Sequence, residues 1–227
     1  MRTLTILLLK FFALSVSPLA AQIEEKSWSI RVAALDIVKD HHTLWLRTAV
    51  GKEPIEIPLN TRVFSLPIEH KGVAALEFFA TAADASAKEA LAPLATTTLK
   101  STASLIIFSP SADLEKYQAF TTSEADFPYG SFRLVNFSQA TVQAEIAGKT
   151  TLLKPSASES IRVSATENAI PVRILALAEG TPARVVRQTS WSVNATQREL
   201  VLFFPNPDNG LVRLRHFVDT KAENPPQ

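Results

Sequence analysis

The chain has 227 residues, no cysteine, six glycines and 23 basic against 22 acidic residues, which gives a net charge of +1 with the histidines neutral. The absence of cysteine excludes disulfides, thiolate metal sites and a lipidated N-terminal cysteine. The near balance of charge gives no electrostatic basis for nucleic-acid binding, which requires a surplus of Lys and Arg against the phosphates.

The N-terminal segment has the layout of a secretory signal peptide. A basic residue precedes two largely apolar runs, and Ala20-Ala21 then leads into a polar stretch. We predict cleavage after Ala20 or Ala21, so that residues 1–21 are removed. The alternative is an uncleaved membrane anchor. It is disfavoured because Lys10 interrupts the apolar stretch, at a cost of about 2.5 to 3.5 kcal/mol near the bilayer centre.

Signal cleavage changes the net charge only slightly, and the signal peptide itself predicts that the protein is exported. It removes Arg2 and Lys10 from the 23 basic residues and leaves 21 against 22 acidic ones, a net charge of −1. No other stretch approaches the ~18 uninterrupted apolar residues of a spanning helix. Small secreted domains of animals usually carry disulfides, so an exported chain without cysteine is more typical of bacteria. We therefore predict a periplasmic or extracellular protein with no membrane span after signal cleavage.

Beyond the signal segment, short apolar or alternating runs are separated by Pro, Asn, Asp, Gly and Ser, which predicts the strands of an all-β sandwich or barrel. In chain order the predicted strands are 27–35, 43–50, 54–59, 62–68, 73–80, 102–109, 115–121, 130–137, 141–147, 149–154, 159–164, 170–178, 183–193, 198–205 and 211–218.

One segment, residues 81–92, is rich in helix formers and departs from this pattern. Thr81 and Asp84 are placed as a capping pair, and Pro93 ends the segment. We predict a short helix that covers one end of a sandwich. The alternative is an insertion with a binding role.

The sequence contains an internal repeat, in which one β-rich unit occurs twice. The run 105–120 begins Leu-Ile-Ile-Phe-Ser-Pro and recurs in outline at 200–217 as Leu-Val-Leu-Phe-Phe-Pro. The run Ser29–Val32 likewise matches Ser131–Leu134. The repeat predicts two tandem, internally duplicated β-sandwich domains of immunoglobulin-like architecture. The predicted organisation is a signal peptide at 1–21, sandwiches at 22–124 and 125–220, and a disordered tail at 221–227.

The repeated strand is apolar on both faces, unlike a strand that is exposed on one side. A second surface is therefore expected to cover it: the other half of the chain, a local element such as the predicted helix, or a partner protein. The residues predicted to form this apolar interface are Leu105, Ile107, Phe108, Leu200, Leu202 and Phe203.

The tryptophans divide into two groups by parity. Trp28 and Trp191 alternate in phase with apolar neighbours and are predicted to lie in the cores. Trp45 shares the parity of Arg47, so its indole is expected to point outward. An outward Trp beside Arg predicts a ligand or partner contact, and an aromatic packed under a loop is the alternative.

Motifs of known enzyme chemistry are missing from the sequence, which has no Gly-x-Ser-x-Gly elbow, phosphate loop or His-Glu-x-x-His. We predict no catalytic residue, no metal and no cofactor. The acidic and histidine cluster at 36–42 is interpreted as a solvated turn, because zinc needs three or four ligands. His70 and His216 are predicted at surface or rim positions. Asp113 and Asp208 follow the repeated strand at equivalent positions and are interpreted as turn residues.

The stretch Pro128–Ser138, followed by Val142–Ile146 and Gly148-Lys149, resembles the opening strands of exported bacterial β-sandwich domains of unknown function. The overall layout is also similar to that of periplasmic pilus chaperones, although the basic pair and the long donor strand of that family have no counterpart here. Only general architecture is implied by this similarity.

Our leading hypothesis is a non-enzymatic interaction or structural module of the cell envelope, with an envelope protein or a glycan as partner. One alternative is a chaperone-like assembly protein that offers a strand edge to a client. The other is a hydrolase of envelope polymers whose acids meet at the junction of the two halves.

Overall fold

The computed structural model describes residues 26–49, 52–89, 91–163, 169–178 and 180–221. Within these residues sixteen strands form four sheets of four, accompanied by one short α-helix and one 3-10 turn. The predicted all-β fold with two similar sandwich-like halves is confirmed. The predicted signal peptide lies outside the described residues, as does the predicted tail beyond Lys221. No helix in the described ranges has the length and apolar character needed to cross a membrane.

The first half contains eight strands and the helix. They are β1 (Lys26–Ala34), β2 (Thr43–Leu46), β3 (Ile55–Pro58), β4 (Ile68–Gly72), β5 (Ala75–Phe79), α1 (Ala82–Ser86), β6 (Ala95–Thr98), β7 (Ala103–Pro110) and β8 (Tyr117–Ser123). One sheet has the order β4-β1-β7-β8 and the other β3-β2-β5-β6. An apolar core fills the space between them and includes Ile30, Leu44, Phe78 and Phe108.

The second half begins after a 3-10 turn at Glu124–Asp126 and repeats this arrangement. Its strands are β9 (Ser131–Asn136), β10 (Thr141–Ile146), β11 (Lys149–Leu153), β12 (Ser158–Arg162), β13 (Ala169–Leu177), β14 (Arg184–Ser192), β15 (Gln197–Pro205) and β16 (Val212–Thr220). The sheets have the orders β12-β9-β15-β16 and β11-β10-β13-β14, so every strand has its counterpart in the first half. The predicted core positions of Trp28 and Trp191 are confirmed, since each is 7% exposed.

The two copies also agree in register. Leu105 of β7 pairs in parallel with Arg31 of β1, and Leu200 of β15 pairs in parallel with Arg133 of β9. The two sequence matches therefore belong to a single alignment of the halves, which is what duplication of one folding unit produces.

The sheets that contain β7 and β15 pack against each other, and a third apolar core lies between them. Its buried members are Ala33, Leu35, Phe64, Leu105, Ile107, Phe127, Val135, Leu200, Leu202 and Phe217. We call this contact the seam. Each half thus covers the second face of the other half's repeated strand. Fully burying one such side chain stabilises the fold by about 1.5 to 3 kcal/mol, so the seam contributes on the scale of an ordinary core.

The six predicted interface residues divide between two cores according to strand parity. Leu105, Ile107, Leu200 and Leu202 lie in the seam and are 0% exposed. Phe108 and Phe203 point to the opposite side of their strands, into the cores of their own sandwiches.

The predicted strand at 62–68 is wrong. Asn60 accepts hydrogen bonds from the backbone of Arg62 and Val63 and forms a turn there. Leu66 is 84% exposed, and Pro67 has no N–H to donate to a sheet, so β4 starts only at Ile68. β6 was missed because its Ala-Thr-Thr-Thr sequence carries no apolar alternation.

The predicted helix is shorter than the segment 81–92. The capping role of Thr81 is confirmed, since its hydroxyl accepts a hydrogen bond from Asp84 N at 3.1 Å. The helix nevertheless ends at Ser86, because Ala87 adopts an extended conformation. It lies against β2 and β5 on the outer side of the first sandwich.

Leu200→Ala should lower the free energy of unfolding by about 2 to 5 kcal/mol, because it opens a cavity in the seam. The matched control is Leu152→Ala, whose side chain lies on the surface with 61% of its area exposed and should change stability by less than about 0.5 kcal/mol. Urea denaturation of residues 22–227 measures both. Equal losses for the two variants would contradict a buried seam.

Separately expressed residues 22–124 and 125–227 should bind a hydrophobic dye more strongly than the intact mature chain does. Each half would expose its own side of the third core, which is covered when the halves are joined. Fluorescence of the dye at matched concentrations measures the difference. Dye binding equal to that of the intact chain would show that the seam faces are not buried against each other.

Candidate functional site

The predicted binding pair lies at the end of β2, with Trp45 in the strand and Arg47 directly after it, but Arg47 already bonds to other residues of its own chain. Its guanidinium donates to Glu77 Oε2 at 2.9 Å, to Ala85 O at 3.1 Å and to Asp84 O at 3.2 Å. These contacts tie α1 to the sheet, which indicates a structural role for Arg47. Trp45 is half-buried between neighbouring strands, and a binding role for it stays a prediction.

A buried ion cluster crosses the seam. Arg31 of the first half donates through both terminal nitrogens to the carboxylate of Asp219, at 2.7 and 2.8 Å. Arg198 donates to the same carboxylate at 2.7 Å and to Glu124 Oε2 at 2.7 Å. Two positive and two negative side chains therefore balance, although Arg198 is only 2% exposed and Asp219 only 4%.

Arg198 also contacts the segment that connects the two halves. Its Nη1 donates to Phe127 O at 2.8 Å, and its guanidinium lies 4.7 Å from the centre of the Tyr129 ring. The connecting turn is thereby bonded to β15. Moving the halves apart here would break the paired bonds from Arg31 to Asp219, which cross from one half to the other.

The electrostatics of the cluster follow from burial and pairing. Burial alone would raise the pKa of Asp219, but the hydrogen bonds from Arg31 and Arg198 outweigh it and hold that pKa below its usual range. Burial also opposes the charge of Arg31, and its contacts with Asp219 overcome this and raise the pKa of the guanidinium. Asp219 and Arg31 therefore remain charged at neutral pH.

The ion cluster is not repeated in the second copy. Arg133 occupies the position equivalent to Arg31 but donates to the hydroxyls of Ser160 and Ser158, at 2.8 and 2.9 Å. Its Nε is buried without a hydrogen-bond partner, and burial lowers its pKa against the opposing effects of Asp126 and Glu159. The two copies have diverged at this position although the backbone is duplicated.

A cleft of about 270 Å³ opens between the halves, and we call it the inter-half cleft. Equivalent strand ends line it from both sides, with Pro110 at the end of β7 and Pro205 at the end of β15. Leu35 and Phe137, which follow β1 and β9, complete this symmetric frame. Because Arg31 and Leu35 lie at opposite ends of the seam face of β1, the ion cluster and the cleft flank the third core.

Polar groups in the inter-half cleft are left with open hydrogen-bonding capacity. Ser109 is 6% exposed, and neither its hydroxyl nor the side-chain amides of Gln118 and Gln139 bond to any described residue. Asp36 is the one ionisable residue among the described cleft-lining side chains, and its Oδ1 accepts a bond from Ile37 N at 2.9 Å. The cleft thus combines apolar walls with a few polar groups, as ligand sites do.

Of the two isolated histidines, His70 departs from its predicted position and His216 does not. His70 is 3% exposed, so its predicted surface or rim position is wrong. It faces the sandwich interior between outward Glu69 and Lys71, and its Nε2 lies 3.2 Å from Val73 O. His216 is partly exposed, with its Nδ1 3.1 Å from Glu199 Oε2.

Asp113 and Asp208, interpreted from the sequence as turn residues, both lie in turns. Asp113 Oδ1 accepts bonds from the Ser111 hydroxyl at 2.6 Å and from Glu115 N at 3.1 Å. These bonds, with the Ser111 hydroxyl contributing most, lower the pKa of Asp113. Within the ranges that the structure describes, no three His, Asp or Glu side chains are grouped as a metal site would require.

No protein-family model matches the chain, and the search of characterised proteins gives no match either. The resemblance of the segment at 128–149 to exported β-sandwich domains therefore depends on those residues and on the overall layout. The functional interpretation is therefore based on the geometry of the seam and of the inter-half cleft.

Asp219→Asn should destabilise the protein by about 3 kcal/mol at pH 7, because it leaves Arg31 and Arg198 short of a buried counter-charge. In the wild type the folded pKa of Asp219 is depressed, so its stabilisation is complete above the unfolded value of about 3.9 and is lost as the pH falls through the folded value.

Unfolding free energies between pH 2 and pH 7, with exposed Asp208→Asn as the control, measure this contribution. The variant Asp219→Asn should show a shallower loss of stability in acid than the wild type or the control. Identical acid profiles for all three proteins would contradict the role assigned to Asp219.

Proposed function

We propose that the chain is an exported, non-enzymatic protein of the bacterial cell envelope whose two sandwiches act as one interaction module. The observation that carries this proposal is the inter-half cleft, which both halves line and which the third core holds in shape. A preformed cleft suits binding, because less conformational entropy is lost when a partner occupies it.

The state of the reactive side chains supports a binding role over catalysis. The carboxylate of Asp113 is committed to its own turn, and Arg47 is committed to Glu77 and α1. Glycoside hydrolysis uses two carboxyl groups that flank one bond, whereas Asp36 alone contributes a carboxylate to the described lining of the cleft. A hydrolase of envelope polymers is therefore the weaker hypothesis.

A second candidate is the chaperone-like assembly protein, and strand β14 favours it. This strand, Arg184–Ser192, lies at the edge of its sheet and pairs with β13 along one side. Its free side could accept an added strand from a client. Exposed charged residues such as Arg187 oppose non-specific pairing of this edge with other strands. The exposed side chain of Val185 is available for an apolar contact with a client.

Affinity capture tests these proposals with tagged residues 22–227 incubated in envelope extract from the host. We expect one stoichiometric partner, an envelope protein or a glycan, that is lost when Ala112→Trp fills the cleft. Loss of the partner with Val185→Arg instead would favour the strand-edge mechanism of β14. Failure of the wild-type chain to retain any partner would contradict the interaction module.

Export is tested on the same host. Mass spectrometry of the native protein should find an N-terminus at residue 21 or 22 in a periplasmic or extracellular fraction, because signal peptidase cuts after small residues. A chain that retains Met1 in the membrane fraction would indicate the uncleaved anchor.

A further inference from the structure

We propose that the inter-half cleft binds a short extended segment of a partner polypeptide that carries one apolar side chain next to a basic residue. This inference rests on the proposed function as an interaction module and names its ligand. Four properties of the cleft support it: its volume, its apolar lining, the polar groups that have no hydrogen-bond partner among the described residues, and the negative charge of Asp36.

The dimensions of the cleft suit one large side chain. Its volume of about 270 Å³ lies just below the range of roughly 300 to 1,000 Å³ that holds a cofactor or drug-sized molecule. Phe137, Phe204 and Leu35 supply apolar walls, and Leu114 stands at the surface with 56% of its area exposed. An apolar group that enters here is removed from water on several sides.

The position of Leu114 is itself unusual. Its φ of +58° lies in the left-handed region, which a branched L-residue adopts at a steric cost. Bonds between Ser111 and Lys116 and from Leu114 N to Ser111 O hold the loop in this shape. Side chains kept in such conformations cluster at binding sites, and here the strain presents an apolar side chain at the cleft.

The unpaired polar groups match a polypeptide backbone. A peptide group offers one donor and one acceptor, and the Ser109 hydroxyl and the amides of Gln118 and Gln139 can each donate and accept. Ser109 is 6% exposed and lines the cleft, where its hydroxyl makes no hydrogen bond to a described residue and is available to bond to a ligand.

The charge of the cleft indicates which type of residue stands next to the apolar side chain of the ligand. Asp36 supplies a carboxylate of which Oδ1 alone is bonded within the described structure. Arg215 contacts residues of the cleft wall: it donates to Leu35 O and lies 6.0 Å from the centre of the Phe204 ring. Arg215 is therefore held against the cleft wall, and Asp36 is the charged residue of the described lining with which a basic side chain of the ligand can pair.

Three peptides that differ in one residue test this assignment. They are the acetylated and amidated tetrapeptides Ala-Leu-Lys-Ala, Ala-Leu-Gln-Ala and Ala-Leu-Glu-Ala, titrated into nitrogen-15-labelled residues 22–227 and followed by NMR. The amide signals of Leu114, Gln139 and Phe204 should move. The lysine peptide should bind about two- to fivefold more tightly than the glutamine peptide at low salt, which is the range of one exposed ion pair, and the glutamate peptide most weakly.

Two matched variants separate charge from packing. Asp36→Asn should make the lysine and glutamine peptides bind equally, while Asp208→Asn, an exposed carboxylate outside the cleft lining, should leave the ranking unchanged. Ala112→Trp should abolish the shifts without changing the melting temperature, because Ala112 is exposed at the cleft. If this variant does not fold, Asp36→Asn still decides the result.

Several results would overturn the inference. These are the absence of shifts at the cleft with all three peptides, or equal binding of the lysine and glutamate peptides. A captured partner that Ala112→Trp still retains would also overturn it while leaving the proposed interaction module intact. Failure to capture any partner affects the proposed function instead.

Discussion

Burial of the second face of β7 and β15 against each other is the interaction on which the rest of the structure depends. These strands are apolar on both sides, and each sandwich has room for only one of those sides in its own core. The other side is covered by the other half of the chain. Because the free energy of hydrophobic burial scales with the apolar area removed from water, the seam stabilises the packed arrangement of the two halves.

Apolar packing alone is not directional, and the ion cluster supplies a fixed orientation. The fork of Arg31 fits the carboxylate of Asp219 in one geometry, and Arg198 links that carboxylate to Glu124 in the connecting turn. The inter-half cleft at the other end of the core is lined by both halves, so its shape depends on this orientation. The binding properties proposed for the cleft thus depend on contacts that lie outside it.

Much of the fold could be predicted from the sequence because the relevant signals are local or repeated. Alternation placed Trp28 and Trp191 inside, and the matched runs at 105 and 200 indicated the duplication. The ion cluster had no such signal, since Arg31 and Asp219 are 188 residues apart and nothing in their neighbouring residues indicates pairing. His70 was misassigned because it stands between two charged residues, although that alternation itself places it on the opposite, inner face.

The cleft also could not be predicted, because it arises from loops of both halves that meet only after the seam forms. Its apolar residues look like ordinary turn material in the sequence, as Pro110 and Pro205 illustrate. The sequence favours the other half of the chain as the covering surface of the repeated strands, as the third core shows, but apolar character alone does not distinguish that surface from a partner protein. Either surface places the same apolar residues out of contact with water.

Differential scanning calorimetry of residues 22–227 tests the central claim most directly, namely that the seam joins two sandwiches into one cooperative unit. The account predicts a single transition whose calorimetric enthalpy equals its van't Hoff enthalpy. Two separate transitions, each with the enthalpy of one half, would contradict it, because they would show that the sandwiches unfold independently and that the seam contributes little to stability.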